Sequence, residues 1–160
     1  MKLYVAGKIQ KESTFGTHYW RKDFVEKLRQ LSGVELDFVD PLADENLGMS
    51  TKDIFQKNCR QIHDSDVCVV YLSNDIAVGG AQEILIARYF NKPVLGLAPL
   101  GGKFNGATRE MFGKTITDYK DPFVFTTCDQ VCATIEELAE ALKKPLPVSS
   151  GLSIIEEAIS

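Results

Sequence analysis

Glu83 is the side chain in this sequence best placed to do chemistry. It stands in the run Val78-Gly79-Gly80-Ala81-Gln82-Glu83-Ile84-Leu85, after an apolar stretch that ends near Leu72. Two glycines let a backbone turn tightly and approach a ligand closely. The helical pattern that follows runs to Phe90, and its opening amides face whatever sits above the turn. The expectation is that Glu83 lies in the first turn of that helix, where the helix dipole favours its ionised form. An ionised carboxylate beside a phosphate- or sugar-sized hollow is what nucleophilic displacement at a sugar carbon requires. The bland account is a helix-start glutamate that only complements the dipole.

The other reactive side chains offer less. His18 and His63 are the only histidines, both on helical patterns and far apart in sequence. Cys59, Cys68, Cys128 and Cys132 form no Cys-x-x-Cys pair and lack a nearby histidine, which disfavours zinc and fits reduced thiols. No metal or organic cofactor is called for. Net charge is −4 with no basic stripe, which argues against a nucleic-acid polymer or an anionic membrane surface. No apolar run approaches the ~20 residues of a membrane span. The opening residues Met1–Gly7 are too short for a signal peptide and read as a strand, so the expected location is the cytoplasm.

The elements that must position these groups alternate. Leu3–Ala6 reads as a buried strand, His18–Leu31 as a helix, Val34–Val39 as a second strand and Thr51–His63 as a helix capped by Ser50. Asp66–Leu72 is almost continuously apolar, the mark of a central parallel strand covered on both sides. Val94–Ala98 reads as a fourth strand after the stop signal Asn91-Lys92-Pro93. Residues 99–121 read as irregular with a short helix around Thr108–Phe112, Phe123–Phe125 as the fifth strand, and Val131–Leu142 as the last helix. At 160 residues with 44% apolar and 25% charged side chains, a single α/β domain over 1–145 is expected, with a C-terminal tail over 146–160 that either packs on a partner subunit or frays. Ligands of open parallel sheets sit beyond the carboxyl ends of the strands. Three loops should gather there: Gly7–Gly16, Asp40–Met49 and Ser73–Gly80.

The combination of Leu3-Tyr4-Val5-Ala6-Gly7, Asn58 with Asp66-Val67-Cys68-Val69-Val70, Gly79-Gly80-Ala81-Gln82-Glu83 and Asn91-Lys92-Pro93-Val94 resembles the nucleoside 2-deoxyribosyltransferase family, which includes 2′-deoxynucleoside 5′-monophosphate N-glycosidases. The resemblance covers Lys2 to Leu97. It implies a flavodoxin-like three-layer sandwich with a mostly parallel five-stranded sheet, assembled as a homodimer or higher homo-oligomer whose sites a neighbouring subunit completes. It also implies cleavage of a nucleoside or nucleotide N-glycosidic bond, with retention, through a covalent sugar–enzyme ester. Glu83 takes the place of the nucleophile, and Tyr4 that of the tyrosine that hydrogen-bonds it.

Two positions depart from the pattern. Many members carry an aspartate where this chain has Asn58, and an asparagine orients a ligand but delivers no proton. Asp40, at the tip of the second strand, is the candidate proton source instead. Transferases acting on free nucleosides place an aspartate six residues before the nucleophile to bind the 5′-hydroxyl; here that residue is Ala77. Losing the charge suits a 5′-phosphate held by amides over Val78–Ala81, by Lys8 and by the turns at Gly7, Gly79 and Gly80. The monophosphate hydrolases, however, favour a serine at the Ala77 position, and Asp75 is the other group able to serve a 5′-hydroxyl. Phe15 is a candidate to stack on a base, and Lys103, Arg109 and Lys114 form a modest basic cluster.

The expected partner is a small nucleoside or nucleotide. Three alternatives compete with that enzyme. One is a nucleotide-binding or sensing module of the same fold without turnover, which Asn58 and Ala77 would suit. A phosphoribohydrolase would usually carry Pro-Gly-Gly-x-Gly-Thr-x-x-x-Glu, whereas these glycines precede Glu83 by only three and four residues. A redox flavoprotein lacks a recognisable flavin loop.

Overall fold

The computed structural model describes residues 1–7, 20–41, 48–72 and 76–160. Strand β1 (Lys2–Gly7) is followed by helix α1 (Trp20–Ser32), β2 (Asp37–Val39), α2 (Thr51–His63), β3 (Val67–Tyr71), α3 (Val78–Tyr89) and β4 (Val94–Leu97). Then come β5 (Asn105–Met111), β6 (Lys114–Lys120), α4 (Pro122–Thr127), β7 (Gln130–Cys132), α5 (Ile135–Leu142) and α6 (Ser153–Glu157). Among the described residues, five strands form one sheet in the order β2-β1-β3-β4-β7, every neighbour parallel. This is the flavodoxin-like three-layer arrangement, and strand order reverses between β1 and β3.

The period-2 alternation of the strands divides the core between the two faces of the sheet. Leu3, Val5, Val67, Val69, Tyr71, Leu95 and Leu97 pack with Trp20, Phe24, Val25 and Leu28 of α1 and with Leu138 and Leu142 of α5. Tyr4, Ala6, Cys68, Val70 and Val94 face the other way, toward Ile62 of α2, Ile84 and Ala87 of α3 and Val124 of α4. Burying a large apolar side chain of this kind stabilises by about 1.5–3 kcal/mol. Tyr4 is thereby turned toward the helix that carries Glu83.

Helix starts follow their local chemistry. Ser50 caps α2, its Oγ accepting from the Asp53 amide at 3.2 Å. α3 has Ala77 at its N-cap and no side-chain cap at all. Replacing a polar cap by alanine costs about 0.5–2 kcal/mol, and glycine inside a helix costs about 0.5–1 kcal/mol more than alanine. The start of α3 is therefore not built for stability.

Two sequence expectations are overturned. Residues 99–121 are largely ordered as a β-hairpin rather than irregular chain with a helix at Thr108–Phe112. β5 and β6 pair antiparallel and turn at Phe112-Gly113, both with positive φ (54° and 71°). Both faces of β6 are exposed, so no apolar alternation marked it in the sequence. Phe123–Phe125 is not the fifth strand but part of α4, because Asp121 accepts from the Phe123 and Val124 amides at 3.1 Å and Pro122 opens the helix. The fifth strand of the sheet is β7, and α5 begins at Ile135, four residues later than expected.

The tail is attached to its own chain. Buried Arg88 at the end of α3 donates from Nε to the Gly151 carbonyl and from Nη2 to Ser150 Oγ, at 2.9 and 2.7 Å. Its Nη1 pairs with Asp129, whose other oxygen accepts from the Val94 amide at 2.8 Å. α6 is thereby brought against α3 and α4, where Leu85, Phe123, Thr127, Ile154 and Ile155 line an apolar groove. No helix among the described residues is long and apolar enough to cross a membrane.

Candidate active site

The Tyr4 hydroxyl donates to Glu83 Oε1 at 2.7 Å, joining β1 to α3 across 79 residues of sequence. Tyr4 is completely buried, and Cys68 of β3 lies directly beside it in the sheet register. Glu83 is half-buried. The expectation about its charge is corrected here. α3 starts at Val78, so Glu83 is its sixth residue and no acidic side chain stands in the first turn. Desolvation outweighs any help from the dipole, and burial raises the Glu83 carboxyl above its usual range. The Tyr4 hydrogen bond, and then the charge of Arg21, pull it back down. Burial and the adjacent glutamate push the Tyr4 hydroxyl the other way, well above its ordinary value, so it stays a donor.

Arg21 is the residue that sequence reasoning missed. It is 2% exposed and donates from Nε to the Val5 carbonyl and from Nη2 to the Gly7 carbonyl, both at 2.9 Å. Those carbonyls lie on the β2 side of β1. Met1 O on that side accepts from the Asp37 amide, while Lys2 O accepts from Asp66 on the β3 side. β2 ends opposite Tyr4, so Val5 and Gly7 have no strand to pair with, and the guanidinium replaces it. Burial lowers the proton affinity of Arg21, and the charges of Asp40, Glu83 and Tyr4 raise it again. A signal did exist in the sequence, since Arg21 stands within the apolar stripe Trp20, Phe24, Val25, Leu28.

The other expected residues divide. Asp40 follows β2 directly, is half-buried and faces the Arg21 charge. Gly7 packs so tightly on Trp20 that an added Cβ would lie 2.9 Å from the ring, which is a packing reason for glycine. A Cβ on Gly80 would lie 3.2 Å from Ile76 and 3.8 Å from the Gly7 amide, so the first turn of α3 is set against the end of β1. Gly79 has nothing within 4 Å of its Cβ position among the described residues. Both glycines are helical with ordinary φ and do not form a turn before α3, which corrects that expectation. Asn58 sits on α2, which packs against α3; its Oδ1 is buried and accepts no hydrogen bond among the described residues. Ala77 is the α3 N-cap. Lys8, Phe15, His18 and Asp75 lie outside the described residues.

The remaining groups are accounted for elsewhere. Arg109 and Lys114 lie on the β5–β6 hairpin and Lys103 just before it; Arg109 donates to the Lys103 carbonyl at 2.6 Å and stacks over Tyr119. The four cysteines are free thiols. Burial pushes the Cys128 thiol up to about 12 and Cys132 up to about 11, so neither supplies a thiolate near neutral pH.

Solved structures share this fold. A conserved protein from Enterococcus faecalis V583 superposes with a TM-score of 0.64 at 21% identity, covering 89% of this chain and 96% of its own. The 2-deoxyribosyltransferase of Bacillus psychrosaccharolyticus gives 0.58 at 13% identity, covering 87% and 90%. That of Leishmania mexicana gives 0.56 at 20%, covering 88% and 95%. No family model matches the sequence, and no curated protein is significantly similar to it. The fold seen in the nucleoside 2-deoxyribosyltransferases is the fold of this chain.

Proposed function

We propose that this protein cleaves the N-glycosidic bond of a (deoxy)nucleoside or nucleoside 5′-monophosphate and passes the sugar to another base or to water. The observation that carries the reading is the partly buried Tyr4–Glu83 hydrogen bond at the reversal point of the sheet. Glu83 is the nucleophile. Its Oε2 accepts no hydrogen bond among the described residues, which leaves lone pairs for C1′ while Tyr4 holds Oε1. As the C1′–N bond breaks, its electron pair leaves with the base, which takes up a proton, and the carboxylate stabilises the oxocarbenium-like state before closing an ester. Attack on C1′ by a second base or by water then restores Glu83.

Each neighbour has a part. Tyr4 orients the carboxylate without neutralising it, because its own proton is held tightly. Asp40 is the proton source for the departing base, and Asn58 orients the base or sugar through its amide, whose Oδ1 has no partner among the described residues. The α3 amides lacking a side-chain cap, together with Lys8, receive a 5′-phosphate; Asp75 serves a 5′-hydroxyl in its place if the substrate is a nucleoside. The exposed apolar groove of Leu85, Phe123 and Ile155 supports assembly as a homo-oligomer, which light scattering after size exclusion measures.

The test is liquid chromatography of a panel of nucleosides and 5′-monophosphates incubated with wild type and with Glu83→Gln, alongside intact-mass analysis. Release or exchange of base by wild type alone, with a sugar-sized mass increment on acid-quenched protein, is the expected result. Binding of a panel member by both proteins without release of base replaces the enzyme with a nucleotide sensor of the same fold.

A further inference from the structure

The Arg21 guanidinium does more than close the edge of β1. Two carbonyls engage Nε and Nη2, and Nη1 remains buried with no hydrogen-bond partner among the described residues. No carboxylate of the described residues lies within ion-pair distance of it either. A cation so deeply placed is costly unless something uses it. The carbonyls it holds belong to the strand end on which the site is assembled. Tyr4 lies one residue before Val5, and Gly80, three residues before Glu83, packs against the Gly7 amide.

We propose that Arg21 is a positioning residue for Glu83: its clamp on Val5 and Gly7 fixes the strand end that carries Tyr4 and receives Gly80, and its buried charge acts on the carboxylate from beyond ion-pair distance. The inference rests on the reading of Glu83 as the reacting group. When the glutamate is an ester its charge is gone, and when the ester breaks the returning carboxylate meets a cation already in place. Such a fixed charge needs no reorganisation during the reaction. Among the described residues, the ionisable groups around Glu83 are Tyr4 from β1, Cys68 from β3 and Arg21 from α1, and Asp40 faces Arg21 from the end of β2.

The test follows the Glu83 carboxyl itself, by carbon NMR of protein labelled at the glutamate δ-carbons, the resonance assigned by its loss in Glu83→Gln. Arg21→Met is expected to move its titration midpoint upward by about one pH unit, and Arg21→Lys to recover most of that shift. The acid limb of base release should move by the same interval. An unchanged midpoint in folded Arg21→Met overturns the proposal. Should that variant not fold, Arg21→Gln carries the test, because it keeps an amide donor for the β1 carbonyls and removes the charge. Failure of both neutral variants to fold, with Arg21→Lys titrating and turning over like wild type, makes Arg21 a structural cap and also overturns it. A wild type that releases no base while the Glu83 midpoint still responds to Arg21 removes the N-glycosidic reading and leaves this inference standing.

Discussion

Two arginines sit at opposite ends of the sheet, 2% and 3% exposed, and are used in opposite ways. Arg88 lies at the amino ends of β4 and β7, where Nε, Nη1 and Nη2 each have a partner and a buried carboxylate balances the charge. Arg21 lies at the carboxyl end of β1, with two backbone carbonyls as acceptors and, among the described residues, no partner for Nη1. The first end is satisfied and holds the chain together. The second is left incomplete, as are the uncapped start of α3 and the desolvated Glu83 beside it. Arg21 Nη1, left unpaired by the described residues, lies at the carboxyl end of the strands, where ligands of open parallel sheets sit.

The comparison breaks most visibly at Glu83. Glu83→Gln should reduce base release by at least about a thousandfold, read by chromatography. The same change should leave the fold intact or better. Because the folded Glu83 carboxyl is raised above the usual 4.5, its contribution to stability is present at acid pH and lost as pH rises through its folded value. The variant should therefore melt roughly 2–4 °C above wild type near pH 8, with the gap closing in acid. A lower melting temperature at both pH values would contradict the desolvation argument.

At the satisfied end the signs reverse. Arg88→Met leaves Asp129 buried without its cation, an effect on the order of 3–5 kcal/mol, and calorimetry should show a melting temperature lower by about 10 °C. Turnover at low temperature should persist in that variant, since nothing at the amino end touches the site. Tyr4→Phe is intermediate. Losing a hydrogen bond to a charged group should cost about 10–100-fold in base release, and the acid limb should move upward because that bond lowers the Glu83 pKa. Ser150→Ala sharpens the comparison at its small end. It removes one neutral acceptor from Arg88, with a loss of about 0.5–1.5 kcal/mol by denaturant titration and no change in rate.

Much of this was legible in the residues. The almost continuously apolar run at Asp66–Leu72 announced a central strand, and Ser50 announced the start of α2, because both signals are local. Glu83 and Tyr4 were legible as a pair from the motifs around them, and the pair is made. Phe123–Phe125 misled because three apolar residues carry no period, and the Asp121-Pro122 cap outweighed them. The β5–β6 hairpin was hidden because β6 is exposed almost throughout and the inward face of β5 carries Asn105 and Arg109, so neither strand writes an apolar alternation.

The sequence by itself determined the parallel α/β order and the helix start that Ser50 caps, since these depend on residues close together in the chain. The tertiary structure decided whether the Glu83 carboxylate is stabilised or strained. Its charge state is set by burial and by groups 79 and 62 positions away, at Tyr4 and Arg21. Desolvation and Coulomb forces act through space, and no local pattern of residues encodes which side chains will share one buried volume.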